Sequence, residues 1–428
     1  MYHKKTQALL KSEINTIKKP QDMEPETKVA ATSRHDEPIT NEDRLTLSPA
    51  SRLFHSPQFN CYIVIVMGFQ TGINAEVVKA GLKETLYHHP RFSSKLENKD
   101  SKGGKKRWIR VSVNEEDHVF VPNLDSNIDH PDQFVEDYIS NLTTAPLDLS
   151  KPLWEVHLLN VKTSYAEAVA VFRLHHSMGD GASLMSLLLA LKNAMGMTIN
   201  DVVFGVTQAG LSQYLNRRYG QNEKYEGSKQ KRSNLPKNIR LRANVLANLR
   251  PTVGIQALAD MMAKTSKARW GNRFGYILIP FTIALQDGPL DYVRQAKAVI
   301  DRKKHSLEAF CTYLIANVLI KIIGAKAAGS IAHRVISHST LSFSNLVGPL
   351  EEISFYGHPI TFMAPYVYGH PHALHMHFQS YVEKMTICLT IDPDVIPDPN
   401  KLLDDLEESL KLICDAVLDR GLTKEEVV

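Results

Sequence analysis

The sequence predicts an α/β protein of two domains built on mixed sheets. The chain has 428 residues, more than one hydrophobic core usually organises. Short apolar runs rich in β-branched residues recur along it, between stretches of helical periodicity. Strand-like and helix-like segments are interspersed from end to end, which argues for an α/β or α+β fold, the first being the one predicted here.

The elements follow in order. Residues 1–45 carry many Lys, Glu, Thr and Pro and are predicted to be a disordered tail. Order is predicted from Leu47-Ser48-Pro49. Cys61–Met67 reads as a buried strand. Asn74 can cap a helix whose Val78, Leu82 and Leu86 recur every four residues. Trp108–Val113 alternates as a strand does, after the Lys/Gly-rich turn Lys102–Arg107. Phe134, Tyr138 and Leu142 mark another helix. Leu153–Leu159 and Ala168–Leu174 read as strands running towards two adjacent histidines. Thr198, with Asp201 three residues on, resembles a capping box opening a helix to about Arg218. A basic loop, Asn216–Arg242, holds nine Lys/Arg against two Glu. Gly275–Ile279, Thr340–Ser344 and Met385–Ile391 look strand-like. Leu403, Leu406, Leu410, Ile413 and Val417 set the rhythm of a last amphipathic helix. The predicted division is an N-terminal domain over 46–190 and a C-terminal domain over 191–428.

Composition excludes some classes. A formal net charge of +4 gives no argument for nucleic acid. Four cysteines, widely spaced and without a Cys-x-x-Cys pair, suit reduced thiols of a chain exposed to the cytosol. The first thirty residues lack the apolar stretch of a secretory signal. Leu307–Ile323 is the most apolar candidate span, and Glu308, Asn317 and Lys321 interrupt it. It reads as a half-buried helix, so any membrane association is predicted to be peripheral.

The stretch that carries chemistry is His175-His176-Ser177-Met178-Gly179-Asp180-Gly181. It follows a strand and precedes the helix-like Ala182–Ala190. An imidazole at a strand end sits on rigid backbone and can take a proton at neutral pH. An aspartate four residues on can orient the turn. Gly179 and Gly181 allow the chain to turn sharply. A histidine pair alone is more often a satisfied polar feature than a catalyst.

The heptapeptide resembles the His-His-x-x-x-Asp-Gly signature of the CoA-dependent acyltransferase superfamily. Further segments resemble the plant wax ester synthase/diacylglycerol acyltransferase family: Leu47-Ser48-Pro49, Pro152-Leu153-Trp154-Glu155, Asn200-Asp201-Val202-Val203, Arg250-Pro251, Ser344-Asn345-Leu346-Val347-Gly348-Pro349, and Gln379-Ser380-Tyr381 followed by a strand and Asp392. The likeness covers about Leu47 to Val417. It implies two chloramphenicol-acetyltransferase-like domains with a tunnel between them. It implies that His176 is the general base that deprotonates an alcohol as it attacks an acyl-CoA thioester, without an acyl-enzyme. His175 and Asp180 would shape the turn, and Gly181 would lie against substrate. Ser344 and Asn345 are candidates to stabilise the oxyanion. Asn200 and Asp201 would hold a helix start, and Trp154 the core. No cofactor or metal is implied, since acyl-CoA is a substrate. The partners implied are acyl-CoA, a fatty alcohol or diacylglycerol, and the cytosolic face of the endoplasmic reticulum membrane or the plasma membrane. The Asp-Phe-Gly-Trp-Gly element of plant relatives that acylate soluble phenolic alcohols or amines is absent.

One departure stands out. The family has a longer stretch, with the inter-domain crossover and a strand, where Leu187–Ala190 here runs almost directly into Leu191–Met195. The predicted consequences are a second domain lacking its first strand and a wall near His176 open to water. A catalytically impaired lipid- or acyl-CoA-binding protein is the alternative expectation. Separately, His370, His372, His375 and His377 crowd into ten residues without a Cys or carboxylate, and Pro371 breaks their geometry, so a metal site is not favoured.

Overall fold

A computed structural model describes residues 7–15, 47–97, 107–124, 128–179, 199–222, 233–236, 239–250, 271–304, 306–349, 351–382 and 384–419. In chain order they form β1 (Gln7–Asn15), α1 (Pro49–Leu53), β2 (Tyr62–Phe69), α2 (Ala75–Glu84), β3 (Ser94–Glu97), β4 (Arg107–Arg110), β5 (Val119–Phe120), α3 (Pro131–Leu142), β6 (Trp154–Leu159) and β7 (Ala168–His175). Then follow α4 (Ile199–Asn222), β8 (Arg240–Asn248), β9 (Phe274–Thr282), α5 (Pro289–Lys304), α6 (Glu308–Ile336), β10 (Leu341–Val347), β11 (Ser354–Phe355), β12 (His358–Tyr368), β13 (Leu374–Tyr381), β14 (Lys384–Ile391) and α7 (Pro399–Asp419).

Two six-stranded sheets organise these elements. The first runs β11-β12-β2-β7-β6-β5 and the second β1-β14-β13-β10-β8-β9; β3 and β4 make a separate hairpin. Both large sheets are mixed. β5 lies parallel to β6, and β10 lies parallel to both β13 and β8, while their other pairings are antiparallel. The α/β class read from interspersed patterns is the observed one.

Sequence chemistry accounts for most of the elements. All eight residues of β2 are buried, as an unbroken β-branched run requires when both faces of a central strand are covered. The Asn74 side chain accepts from the Glu76 and Val77 N–H groups and so starts α2, whose Val78 and Leu82 face the core. Trp154 is buried, and its indole N–H donates to the Phe92 carbonyl at 2.8 Å, a core role. On β7 the Arg173 guanidinium meets Glu155 of β6 at 2.6 Å and donates to the Ala145 carbonyl at 2.8 Å and the Tyr368 hydroxyl at 3.3 Å. Burial alone would raise the Glu155 carboxyl, but His157 and Arg173 beside it bring it below its ordinary value. This ion pair, desolvated and multiply bonded, fixes the strand that leads into the histidine turn.

Four expectations change. Gln7–Asn15, read as part of a disordered tail, pairs antiparallel with β14 and extends the second sheet; an open strand edge recruits backbone, whatever the side chains. The basic stretch 216–242 is not all loop. Its start belongs to α4, which reaches Asn222, and Arg240–Arg242 open β8. There the alternating Leu241, Ala243 and Val245 join the second core, and ladder pairing overrides the charges. β12, assigned by sequence position to the second domain, pairs with β2 in the first sheet. Of Leu307–Ile323, Leu307 precedes the helix and the rest forms only part of α6, and few of these residues are buried.

Candidate functional site

The site is built where β7 ends. His175 closes the strand, and His176–Met178 continue as a single tight turn. The backbone N–H of His176 donates to the Cys61 carbonyl at 2.9 Å, which ties the turn to the start of β2. From the second half, the Asn272 amide donates to the His176 carbonyl at 2.8 Å and to the Ser51 hydroxyl at 3.0 Å. Asn272 is itself buried, so one side chain clamps α1, the turn and the approach to β9.

The two histidines do different things. His175 is fully buried. Its Nδ1 accepts from the Ser177 backbone N–H at 3.2 Å and lies 2.7 Å from the Ser177 hydroxyl. An N–H donor at Nδ1 puts the ring proton on Nε2, which donates to Asn60 Oδ1 at 3.0 Å. His55 stacks on this ring at 4.3 Å. His175 is thus a neutral brace of the turn. The His176 ring stacks on Phe54 at 4.2 Å, with Phe274 at 6.0 Å, and lines a cavity with an open mouth.

Both halves wall that cavity. Leu53, Phe54, Phe59 and His176 come from the first. Asn244 and Leu246 of β8, Phe274–Tyr276 of β9, and Thr312, Tyr313, Ala316, Asn317, Ala332 and Ile336 of α6 come from the second, with His370 closing the set. A small apolar cluster of Phe54, Phe59, Cys61 and Ile336, with Phe274 and Ala332 against it, seals one side. His176 is 3% exposed, so the expectation of a wall open to water does not hold. Burial by aromatic rings from both halves supplies the shielding.

The lining is mostly apolar, with a few polar groups. Asn244 is 1% exposed, and neither atom of its amide has a hydrogen-bond partner among the described residues. A buried, unsatisfied amide costs stability on the order of 1–3 kcal/mol, and this one lies among the residues that line the cavity. Burial, and then the nearby His176 imidazole, holds His370 well below the ordinary histidine value, so it faces the cavity as a neutral ring.

Other predicted residues lie elsewhere. Ser344 and Asn345 sit on β10, opposite His377 and Phe378 of β13, and are not among the residues that line the cavity. Asn244, on the adjacent strand and opposite Ser342, lies at the wall instead. The Ser-Asn segment was singled out by its motif, whereas Asn244 and Asn272 carried no motif, and only the fold brings them to His176. Asn200 and Asp201 fall in the first turn of α4. Asp180 and Gly181, and the join at 190/191, lie outside the described residues.

The histidine cluster offers no metal site: among the described residues no group of three His, Cys, Asp or Glu could hold an ion. His372, His375 and His377 are buried, and His370 is half-buried. Burial pushes His372 and His377 each down to about 4. Their folded values lie below the unfolded value of about 6.5, so folding favours the neutral rings. The stability they contribute is complete above about pH 6.5 and is lost as pH falls towards 4. Urea midpoints should therefore drop between pH 7 and pH 4.5, by an amount on the order of a few kcal/mol in unfolding free energy. The His377→Gln variant should show a shallower drop; an identical pH profile would refute this origin.

Comparison with known proteins agrees with the geometry. Residues 71–195 match the sequence profile described as the wax ester synthase/diacylglycerol acyltransferase catalytic domain, and residues 270–414 match the WS/DGAT C-terminal domain. Wax ester synthase/diacylglycerol acyltransferase 5 of Arabidopsis thaliana is 46% identical, over 90% of this chain and 96% of its own length. Its paralogue 11 is 46% identical over 89% and 97%, and paralogue 6 is 45% identical over 90% and 96%. These alignments run over 488, 477 and 499 positions, more than the 428 residues of the chain. The relatives therefore carry residues with no counterpart here. The wax ester synthase/diacylglycerol acyltransferase of Marinobacter aquaeolei shares the fold with a TM-score of 0.51 at 18% identity, covering 88% of this chain and 100% of that one. The first condensation domain of the CDA synthetase does so at 0.50 and 11%, covering 86% and 93%.

Proposed function

The chain belongs to the wax ester synthase/diacylglycerol acyltransferase family, and from that premise we propose that it esterifies a fatty alcohol, diacylglycerol or both with the acyl group of a long-chain acyl-CoA. One observation carries the reading: a shielded histidine at the end of β7 faces a mostly apolar cavity walled by both halves. His176 takes the hydroxyl proton as the alcohol oxygen attacks the thioester carbonyl. The carbonyl oxygen gains negative charge, and the Asn244 amide N–H offers it a donor. The tetrahedral species collapses, the C–S bond breaks, and the proton passes from His176 to the leaving CoA thiolate. His175 holds the turn and does not touch substrate; the same role is proposed for Asp180, with Gly181 against substrate. Ser344 and Asn345, set away from the cavity wall, are not assigned the oxyanion. No cofactor enters this scheme. The reaction would take place at the cytosolic face of the endoplasmic reticulum membrane or at the plasma membrane, where the lipid acceptors reside.

Purified protein should release CoA from long-chain acyl-CoA only when an acceptor is supplied. Thin-layer chromatography should show wax ester with hexadecanol or triacylglycerol with diacylglycerol. CoA release at the same rate without acceptor would overturn transfer in favour of hydrolysis. A second reading, an impaired acyl-CoA-binding protein, is favoured by the residues that the relatives have and this chain lacks. It requires saturable acyl-CoA binding with no ester from either acceptor.

A further inference from the structure

α6 presents an unusual face. It is a 29-residue helix, long and apolar enough by length and composition to cross a membrane. The residues Leu307, Phe310, Leu314, Ile315, Val318 and Ile322 recur at steps of three and four, which places them on one side. That side faces solvent: Leu307, Ile315, Val318 and Ile322 are 74%, 58%, 51% and 75% exposed, and Phe310 and Leu314 are exposed too. A surface helix ordinarily turns such a stripe inward. Here the inward side is given to other work. Thr312, Tyr313, Ala316 and Asn317 line the cavity, and the carbonyl of Ala309 sits so close to Gly275 of β9 that no side chain fits there.

We propose that this stripe lies in the surface of a lipid bilayer, with α6 flat in the headgroup region and the cavity on its far side. Two observations select a lipid surface over a spanning helix or a protein partner. First, Gly324 has left-handed backbone angles (φ +80) and breaks the helix. The unbroken run from Glu308 to Ile323 is about 24 Å long at ~1.5 Å per residue, short of the ~30 Å hydrocarbon thickness. Its inward side is packed against β9 and cannot also face lipid. Second, the charge around the stripe is basic. Lys321 and Lys326 are exposed on α6, whose only acidic residue, Glu308, is paired with Lys303; at the end of α5, Asp301 pairs with Lys304, and Arg302 adds a further positive charge. An apolar stripe rimmed by lysines suits an interfacial helix on anionic lipid, with Lys321 reaching to the headgroups along its aliphatic stem. A lipid acceptor dissolved in that bilayer is then separated from the His176 cavity by one helix.

The inference rests on the proposed lipid acylation for its purpose but not for its test. The full chain is mixed with vesicles of phosphatidylcholine and phosphatidylserine and floated on a density gradient. The wild type should float. A variant carrying Ile315→Glu, Val318→Glu and Ile322→Glu, all outside the cavity wall, should bind at least about tenfold more weakly. Its unfolding midpoint should match the wild type, because these side chains are exposed. Its turnover of a short, water-soluble alcohol should be unchanged, whereas turnover of vesicle-embedded hexadecanol falls. Equal flotation of the two proteins, or a wild type that stays at the bottom, overturns the proposal. So does light scattering that shows a wild-type dimer turned to monomer by the substitutions without vesicle binding, which would make the stripe a contact between copies. Loss of all ester formation in the wild type, with flotation intact, would overturn the enzymatic reading alone.

Discussion

His176→Ala lowers kcat/KM for ester formation by about 10³-fold, while acyl-CoA binding measured at equilibrium changes little. The size is that of a positioned proton acceptor in acyl transfer. The ring lies at the cavity wall, pressed between Phe54 and the cavity, so its loss removes the base without cutting a backbone contact: the turn remains tied through the His176 N–H to Cys61 and through the His176 carbonyl to Asn272. His175→Ala acts differently. It removes the bonds to Asn60 and Ser177, so activity and thermal midpoint fall together. The assignment fails if His176→Ala retains the wild-type kcat, or if its whole loss is recovered by lowering the temperature to where the variant is fully folded.

Asn244→Ala lowers kcat by about 10²-fold and at the same time raises the unfolding midpoint. The two effects share one cause. Both amide atoms of Asn244 are buried without a hydrogen-bond partner among the described residues, a cost on the order of 1–3 kcal/mol. Truncation removes that cost, and because the side chain already borders a cavity, it opens little new void. During turnover the same amide meets the charge that develops on the carbonyl oxygen, so its removal is felt in kcat more than in KM. Such a trade of stability for activity is the signature of a preorganised polar group. A variant with lower stability and unaltered kcat would show instead that Asn244 is an ordinary core residue. Kinetics with saturating acyl-CoA and a denaturation curve on the same preparation decide between them.

Some of this was legible in the sequence because the physics is local. A cap such as Asn74, a β-branched run such as Ile63–Met67, and a histidine pair at a strand end each act through neighbours in the chain. The family's spaced motifs then gave the two-domain architecture. What was not legible depends on distant partners. Nothing near Asn244 marks it as a cavity residue; it arrives there because β8 lies beside β9 and β10. Asn272 clamps a turn almost a hundred positions earlier in the chain. The outward stripe of α6 has a helix's period, but periodicity cannot say which side of a helix meets the core. β1 escaped notice because strand pairing at a sheet edge is a backbone property that polar composition conceals.

The pairing of β12 with β2 bears on how the protein is made. Synthesis proceeds from the N-terminus, yet the first sheet cannot be finished until residues 358–368 have left the ribosome. Until then the edge of β2, apolar along its whole length, has no neighbour and can join the wrong strand or another nascent chain. Contacts that span some three hundred residues slow the search for the native state, so this chain should need chaperone shelter late in translation. A stop codon anywhere upstream of β12 should give insoluble product rather than a working first half.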